Sequence, residues 1–382
     1  MTKRKIRVGV IFGGKSGEHE VSLMSAKSIM RAIDKTKYDV VPIGITHEGR
    51  WLTSGDPLKA LTGGQTAMPE LLASGFVLEA DPASVEQPAS ERRALVPGTQ
   101  ASGIPDVDVI FPVLHGTFGE DGTLQGLLEL ADLPYVGAGV MSSAVGMDKA
   151  IMKDVLRSHG LPVVDHVLVL RPKWEADPDP IRAAIAERIG YPCFVKPANL
   201  GSSVGVSKAH TAAEIDAAID KAARYDRKVL VEKSVEHTRE IEVSVLGNAE
   251  PIASVPGEVI PSREFYDYAA KYLDNASELL IPAPLEAETA EHVRQLAIEA
   301  YLAFDGAGMA RVDFLMQRDT GEVFISEVNT IPGFTSISMY PKLWEASGIP
   351  YSELIDRLIE LALERHADKH RSRTSYDAEQ DA

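Results

Sequence analysis

Arg311-Val312-Asp313 and Glu327-Val328-Asn329 flank a short turn, and this pairing of acidic strands constrains the fold more than any other feature. Alternate residues of a strand point to one face, so Arg311 shares a face with Asp313, and Glu327 with Asn329. Asp319-Thr320-Gly321 between them reads as a three-residue hairpin loop, with glycine supplying the left-handed backbone. If Arg318 pairs with Glu322, counting outward sets Asp313 opposite Glu327. Carboxylates opposed across a hairpin repel unless something lies between them. A divalent cation removes the problem, and Asn329 adds a neutral oxygen. Oxygen donors without His or Cys select a hard ion such as Mg²⁺ over Zn²⁺. The alternative is a solvated face on an edge hairpin, because Val312, Phe314, Ile325 and Val328 supply an apolar opposite face. Arg311 is then either a fixed cation for a developing oxyanion or an ion-pair partner of these carboxylates.

Elsewhere strands alternate with helices. Residues 6–12 read as a strand broken by Gly13-Gly14, 18–33 as a helix, and 38–45 and 107–114 as further strands. This pattern implies a parallel α/β sheet. Residues 53–105 look irregular, and 79–103, rich in Pro, Ala and Ser, read as a surface insertion. A helix is expected at 144–159, strands at 166–170 and 194–196, a helix near 212–223 and a strand at 229–233. Strands follow at 240–246, 309–315 and 323–328, then a helix at 351–366 and a polar, disordered tail. At 382 residues the chain exceeds one ordinary core. The division expected is 1–138, 139–231 and 232–366, with an insertion about 53–103 and a tail from 367.

Composition excludes several classes of function. The net charge of −17, with no basic block outside the mixed tail, argues against a nucleic-acid footprint. It leaves room for a nucleotide, whose phosphates need only a few placed cations and N–H groups. No apolar run approaches the roughly twenty residues of a membrane span. The basic residues 1–5 lead into an apolar stretch too short for a signal peptide. Cys193 is the single cysteine, so no intrachain disulfide forms and a reducing compartment fits. Cytoplasm is the expectation.

Two nucleotide patterns carry little weight. Gly9–Ser16 matches G-x-x-x-x-G-K-[ST], but Val10, Ile11 and Phe12 put the first glycine inside a strand. Gly137-Ala138-Gly139 lacks the third glycine of a dinucleotide fingerprint and reads as a strand-to-helix turn. A better phosphate loop follows Lys196: Ala198-Asn199-Leu200-Gly201-Ser202-Ser203-Val204-Gly205 offers N–H and O–H donors, with Lys149 and Lys196 as point charges. A plain surface loop is its alternative. The strand end Glu232-Lys233-Ser234-Val235 could meet adenine through its backbone while Glu240 holds ribose.

These stretches together resemble the ATP-grasp superfamily, and within it the D-alanine–D-alanine ligases. The carrying segments are FGGKSGEHEVS (12–22), LHGTFGEDGTLQG (114–126), MDK (147–149), KPANLGSSVGV (196–206), YDYAAKYL (266–273), RVDF (311–314) and EVNTIPGFTSISMYPKLW (327–344). The resemblance implies an N-terminal parallel α/β domain followed by an ATP-grasp pair of α+β domains. It implies that ATP phosphorylates one D-alanine and that the amine of a second attacks the acyl phosphate, giving a cell-wall precursor. Lys149, Lys196, Ser203 and Lys271 would meet phosphates, Glu232, Lys233 and Val235 adenine, and Glu240 ribose. Asp313, Glu327 and Asn329 would hold two Mg²⁺ ions, with Mn²⁺ able to substitute. Arg311 and the Gly333 N–H would face the oxyanion. Glu20 would anchor the first ammonium near His115, with Ser338 and Met339 beside the second substrate. Glu20, Ser202 and Tyr272 would link a lid at 268–273 that keeps water from the acyl phosphate. The resemblance also implies a homodimer. Ser234 and Thr238 depart from the family pattern near the adenine.

Three rivals remain: another ATP-grasp ligase or carboxylase, a P-loop NTPase using Gly9–Ser16, and a non-catalytic nucleotide module. Lys15→Ala separates the second. It leaves phosphate release from ATP near wild type on the reading preferred here and abolishes it for a P-loop enzyme.

Overall fold

The computed structural model describes residues 4–63, 106–260, 278–335 and 337–373. The lid segment with Lys271 and Tyr272, and most of the expected insertion, lie outside the described residues.

The first sheet has the order β3-β2-β1-β4, from Trp51–Leu52, Tyr38–Ile45, Ile6–Gly13 and Val109–Val113. Strand β1 runs parallel to both β2 and β4, as the alternating pattern requires. Being central, it is covered on both faces. Val8, Val10 and Phe12 pack with helix α1 (His19–Ala32), while Ile11 faces Ile43, Ile110 and helix α3 (Thr123–Leu130). Gly9 lies in this crowded strand, where an added Cβ would stand 2.8 Å from Ile110 Cδ1. In the first residues of the expected insertion the chain forms a short helix α2, Pro57–Leu61, capped by Asp56, where irregular backbone was expected.

Two helices follow instead of the single one expected over 144–159. Helices α4 (Val140–Met147) and α5 (Lys149–Ser158) are separated by Asp148, whose extended backbone and side chain cap α5 through Ala150 N and Ile151 N, each at 3.2 Å. The second sheet then has the antiparallel order β5-β8-β6-β7: His166–Leu170, Lys228–Lys233, Cys193–Pro197 and Ser207–Ala209. Helices α6 (Arg171–Ala176), α7 (Asp179–Arg188) and α8 (Ile215–Ala223) accompany it.

The third sheet orders β12-β11-β9-β13-β14, with β10 beside β9. Its strands are Thr238–Gly247 (β9), Ile252–Ala253 (β10), Gly257–Ile260 (β11), Glu278–Leu280 (β12), Gly308–Gln317 (β13) and Val323–Asn329 (β14). Its apolar face is covered by α5 and by a helix the sequence reading missed, α9 (Ala287–Ala303). Val293, Leu296, Ala297, Ala300 and Tyr301 carry the 3–4 spacing of a buried helical stripe.

The chain therefore visits its layers out of strict order. Met152 and Leu156 of α5 pack in the third sheet's core although they precede the second sheet. The expected cut at 231/232 falls inside β8, which belongs wholly to the second sheet. Helices α10 (Met339–Ala346) and α11 (Tyr351–Lys369) return to the first sheet, so Trp344, Ile355 and Leu358 share a core with Val8, Val10 and Phe111. Helix α11 continues past residue 366, where a disordered tail was expected. No described helix is long and apolar enough to cross a membrane.

Leu246 and Met309 of the third sheet join that same core, so Trp344, 1% exposed, welds the first and third layers. Trp344→Ala should lower stability by about 3–5 kcal/mol. A urea titration would show the midpoint falling; an unmoved midpoint would mean that the return of α10 does not hold the layers together.

Candidate active site

Strands β13 and β14 set Asp313 opposite Glu327 and Arg311 opposite Asn329, the pairing that counting had given. The route differs. Gln317, not Arg318, meets Glu322, through Gln317 N–H to Glu322 O at 2.8 Å, so the loop is one residue longer than expected. A bulge beyond Asp313 takes up Ser326 and restores the register. The bulge has a packing cause: Ile325 and Val328, an odd number of residues apart, both enter the core. On the other flank β9 places Glu242 opposite Asp313 and Glu240 opposite Leu315. Directly opposed residues share a face, so four carboxylates line one side of three strands.

Arg311 lies among them, 17% exposed at its side chain. Its Nε and Nη2 donate to Asp313 Oδ1 and Oδ2 at 2.7 and 2.6 Å, and Nε lies 3.0 Å from Glu242 Oε2. Asn329 Nδ2 donates to Asp313 Oδ2 at 3.0 Å and to Glu327 Oε1 at 3.4 Å. Burial works against the guanidinium's charge, but Asp313 and Glu242 outweigh it and raise its pKa. Asp313, Glu327 and Asn329 thus converge as oxygen-bearing side chains with no His or Cys among them. That donor set fits a hard divalent ion.

The acidic face opens onto a cleft of about 430 Å³ between the second and third sheets. The expected residues Ser202, Ser203, Lys233, Val235 and Glu240 line it, with Lys149 and Lys196. Because Asp148 caps α5, Lys149 starts that helix at the cleft. Its N–H donates to Ala198 O at 3.0 Å, and its Nζ donates to Leu200 O at 2.8 Å and stands 3.7 Å from Glu327 Oε2. One turn on, Lys153 is 1% exposed and meets Glu232 Oε1 at 2.9 Å. Lys196 pairs with the other oxygen of Glu232. The carboxylate expected beside adenine is therefore committed to two ammoniums, and any adenine contact at Glu232 falls to its backbone. Burial pushes Glu232 up, yet Lys153 and Lys196 hold it down at about 2. Burial lowers Lys153, whereas Glu232 overcomes burial and raises Lys196. The sequence reading missed Lys153, although its spacing of four from Lys149 puts both on one helix face.

The N-terminal wall corrects a second assignment. Ser202 Oγ donates to Glu18, not Glu20, while Glu20 Oε1 lies 3.3 Å from His47 Nε2. Glu18 precedes the first turn of α1 with non-helical backbone, so its side chain reaches the Gly201–Ser203 loop, whereas Glu20 lies within the helix. Glycines make the room: a Cβ on Gly116 or Gly201 would stand 2.8 or 3.1 Å from Glu18 Oε2. His115 is buried, its Nδ1 3.0 Å from Ile331 O and its Nε2 3.3 Å from Ser25 Oγ. Burial lowers its pKa, and because a carbonyl only accepts, Nδ1–H is the donor to Ile331 O. Glu120, also missed, accepts from Gly116 N at 2.6 Å and Ile331 N at 3.2 Å. Burial, then the neighbouring Glu18, pushes it up to about 8.

In the turn after β14, Ser338 Oγ accepts from Thr335 N at 3.1 Å, and a Cβ on Gly333 would stand 3.1 Å from that hydroxyl. Met339, expected beside a substrate, is 7% exposed and packed with Val259 and Leu343. The Gly9–Ser16 pattern is no phosphate loop. Gly13 N donates to Ser22 Oγ at 2.8 Å and Gly14 N to Ile45 O at 2.9 Å, so both amides are consumed within the protein.

Comparison with known proteins agrees with this fold. The family model described as D-ala D-ala ligase N-terminus matches residues 7–138, and the model described as D-ala D-ala ligase C-terminus matches 155–360. The D-alanine–D-alanine ligase of Heliobacterium modesticaldum is 50% identical over 380 residues, 97% of this chain and 98% of that one. The structure of the D-alanine–D-alanine ligase from Coxiella burnetii superposes with a TM-score of 0.77 at 38% identity, covering 96% of each chain. The VanG D-Ala:D-Ser ligase from Enterococcus faecalis superposes with a TM-score of 0.76 at 37% identity, covering 94% of this chain and all of that one. With family models on both halves and matches running the length of the chain, this protein belongs to the D-alanine–D-alanine ligase family.

Proposed function

We propose that the chain joins two D-alanines at the expense of ATP, with the triphosphate in the cleft of about 430 Å³ and the carboxylates of β13 and β14 at its floor. The observation that carries this reading is Asp313 opposite Glu327 on the face that opens to Lys149 and Lys196. Asp313, Glu327 and Asn329 are the residues to hold divalent ions, Mg²⁺ by their hardness, with Mn²⁺ able to substitute. Such ions, when bound, neutralise charge on the transferring phosphoryl group.

The chain's own residues do the rest. Lys149 and Lys196 present ammoniums to the phosphates, with the buried pair of Lys153 and Glu232 holding Lys196 in place. Backbone at Lys233 and Val235 meets adenine, and Glu240 the ribose. Glu18, in the place first given to Glu20, anchors the ammonium of the first D-alanine. The carboxylate of that D-alanine attacks the γ-phosphorus of ATP, forming a D-alanyl phosphate and releasing ADP. The amine of the second D-alanine attacks the carbonyl carbon, with Arg311 and the Gly333 N–H facing the oxyanion. Phosphate leaves and the nitrogen gives up a proton, leaving D-alanyl-D-alanine for the cell wall. Lys271 and Tyr272 serve in the lid on this reading.

Mass analysis of products from ATP, Mg²⁺ and either D- or L-alanine tests the reaction: the dipeptide should form from the D isomer alone. Glu327→Ala should abolish phosphate release while leaving the circular dichroism spectrum unchanged; substantial turnover in that variant would remove the metal site from the mechanism. Glu18→Ala should raise KM for the first D-alanine tenfold or more, about 1.4 kcal/mol, and Glu20→Ala should not. A reversed pattern would return the anchor to Glu20.

A further inference from the structure

Outside the cleft, the last turn of α11 and the loop after α3 bring three ligating side chains to one point. His366 lies in the last turn of α11, His370 caps that helix four residues on with helical backbone, and Asp132 follows α3 with a left-handed backbone, φ 54°. His370 Nε2 is 2.8 Å from Asp132 Oδ1, His366 Nε2 is 3.2 Å from the same oxygen, and the two nitrogens are 3.2 Å apart. With zinc bonds of about 2.0–2.2 Å to nitrogen and oxygen, the corners of a tetrahedral shell lie roughly 3.3–3.5 Å apart. The observed triangle is close to that size.

Hydrogen bonding alone explains the triangle poorly. If both Nε2 atoms carry protons toward Asp132, two donors crowd each other at 3.2 Å. If one ring instead accepts from the other, it gives up its own bond to the carboxylate. A cation at the centre resolves the conflict, because lone pairs of both rings and of the carboxylate then converge on it. Lys369, in the same turn, pairs with Glu129, which also accepts from Tyr135 OH at 2.7 Å, so this ammonium is directed to a different carboxylate. The Asp132 side chain is 69% exposed, which leaves a side of the triangle open to water as a fourth ligand.

We propose that Asp132, His366 and His370 form a Zn²⁺ site, separate from the carboxylates of the cleft, that pins the C-terminal helix to the first layer. Imidazole donors suit Zn²⁺, while the oxygen-only cluster in the cleft suits a harder ion, so each site selects a different metal. The site joins positions 234 residues apart in the chain, and the ion binds only while α11 is docked. Its binding energy therefore adds to the stability of docking.

The test uses the full chain with excess Mg²⁺ present to fill oxygen-only sites. Cobalt(II) should give the intense visible bands of tetrahedral coordination, one equivalent should saturate them, and Zn²⁺ should displace it. Zn²⁺ alone should raise Tm. His366→Ala and His370→Ala should each weaken Zn²⁺ at least tenfold and remove the Tm shift, while Lys369→Ala, in the same turn, should keep both. Absence of the cobalt bands, or bands that survive both histidine substitutions, would overturn the proposal.

Discussion

Everything at the centre of this molecule answers to the repulsion among carboxylates that three adjacent strands place side by side. Two such charges about 4–5 Å apart, at an effective dielectric near 20, repel by roughly 3–4 kcal/mol. The sheet tolerates this because Arg311 grips Asp313 with two hydrogen bonds and also faces Glu242, while the Asn329 amide donates to both Asp313 and Glu327. It tolerates it also because the opposite face is fully committed: Val312, Phe314, Ile325 and Val328 are at most 3% exposed. A strand so anchored cannot rotate its acids away. Folding holds the carboxylates together, and a divalent cation bound there, as proposed, would relieve them further.

The cleft's positive wall is built on the inverse principle. Lys153 and Lys196 are buried against a single carboxylate, Glu232, which lies on the strand between β5 and β6. A buried ion pair adds little net stability, but removing one partner leaves an uncompensated charge and costs several kcal/mol. The triad therefore fixes geometry more than it adds stability. It ties α5, β6 and β8 together at the edge where Lys149 crosses toward Glu327. Acid on one sheet and base on the next thus face a common space, each held by contacts behind it.

The parts legible in the sequence were those governed by short periodicities. The face shared by Arg311, Asp313, Glu327 and Asn329 follows from a period of two, and β1, β2 and β5 from apolar runs bounded by glycine or polar residues. The hairpin count reached the right pairing through two offsets that cancelled, because no local pattern announces the bulge at Ser326; only the packing of Ile325 with Val328 demands it. Helix α9 was readable from its apolar stripe and was overlooked. Glu18 and Glu20 are a different case. Both sit in the segment that carries the family resemblance, and which one faces Ser202 depends on where α1 begins, a boundary that fixes side-chain direction within a single residue. The expected cut crosses β8 because sheet membership is set by partners in space, and β8 pairs with both β5 and β6 before the chain leaves for the third sheet.

The contact between Glu18 and Ser202 carries a last consequence for how the layers act together. Ser202 and Ser203 hold φ of 51° and 57°, a left-handed conformation that L side chains enter at a cost of roughly 1–3 kcal/mol. Two successive residues stay there only where surroundings over-determine them. Here the Ser202 hydroxyl is fixed by Glu18 from the first layer, and Lys149 grips the Leu200 carbonyl from α5. The shape of the loop proposed to face the phosphates is thus set from outside its own sheet, by a carboxylate on the wall where the first amino acid is proposed to sit. On the proposed reading, an ammonium held by Glu18 would compete with the Ser202 hydroxyl, which would couple occupancy of the amino-acid side to the form of this loop through one hydrogen bond.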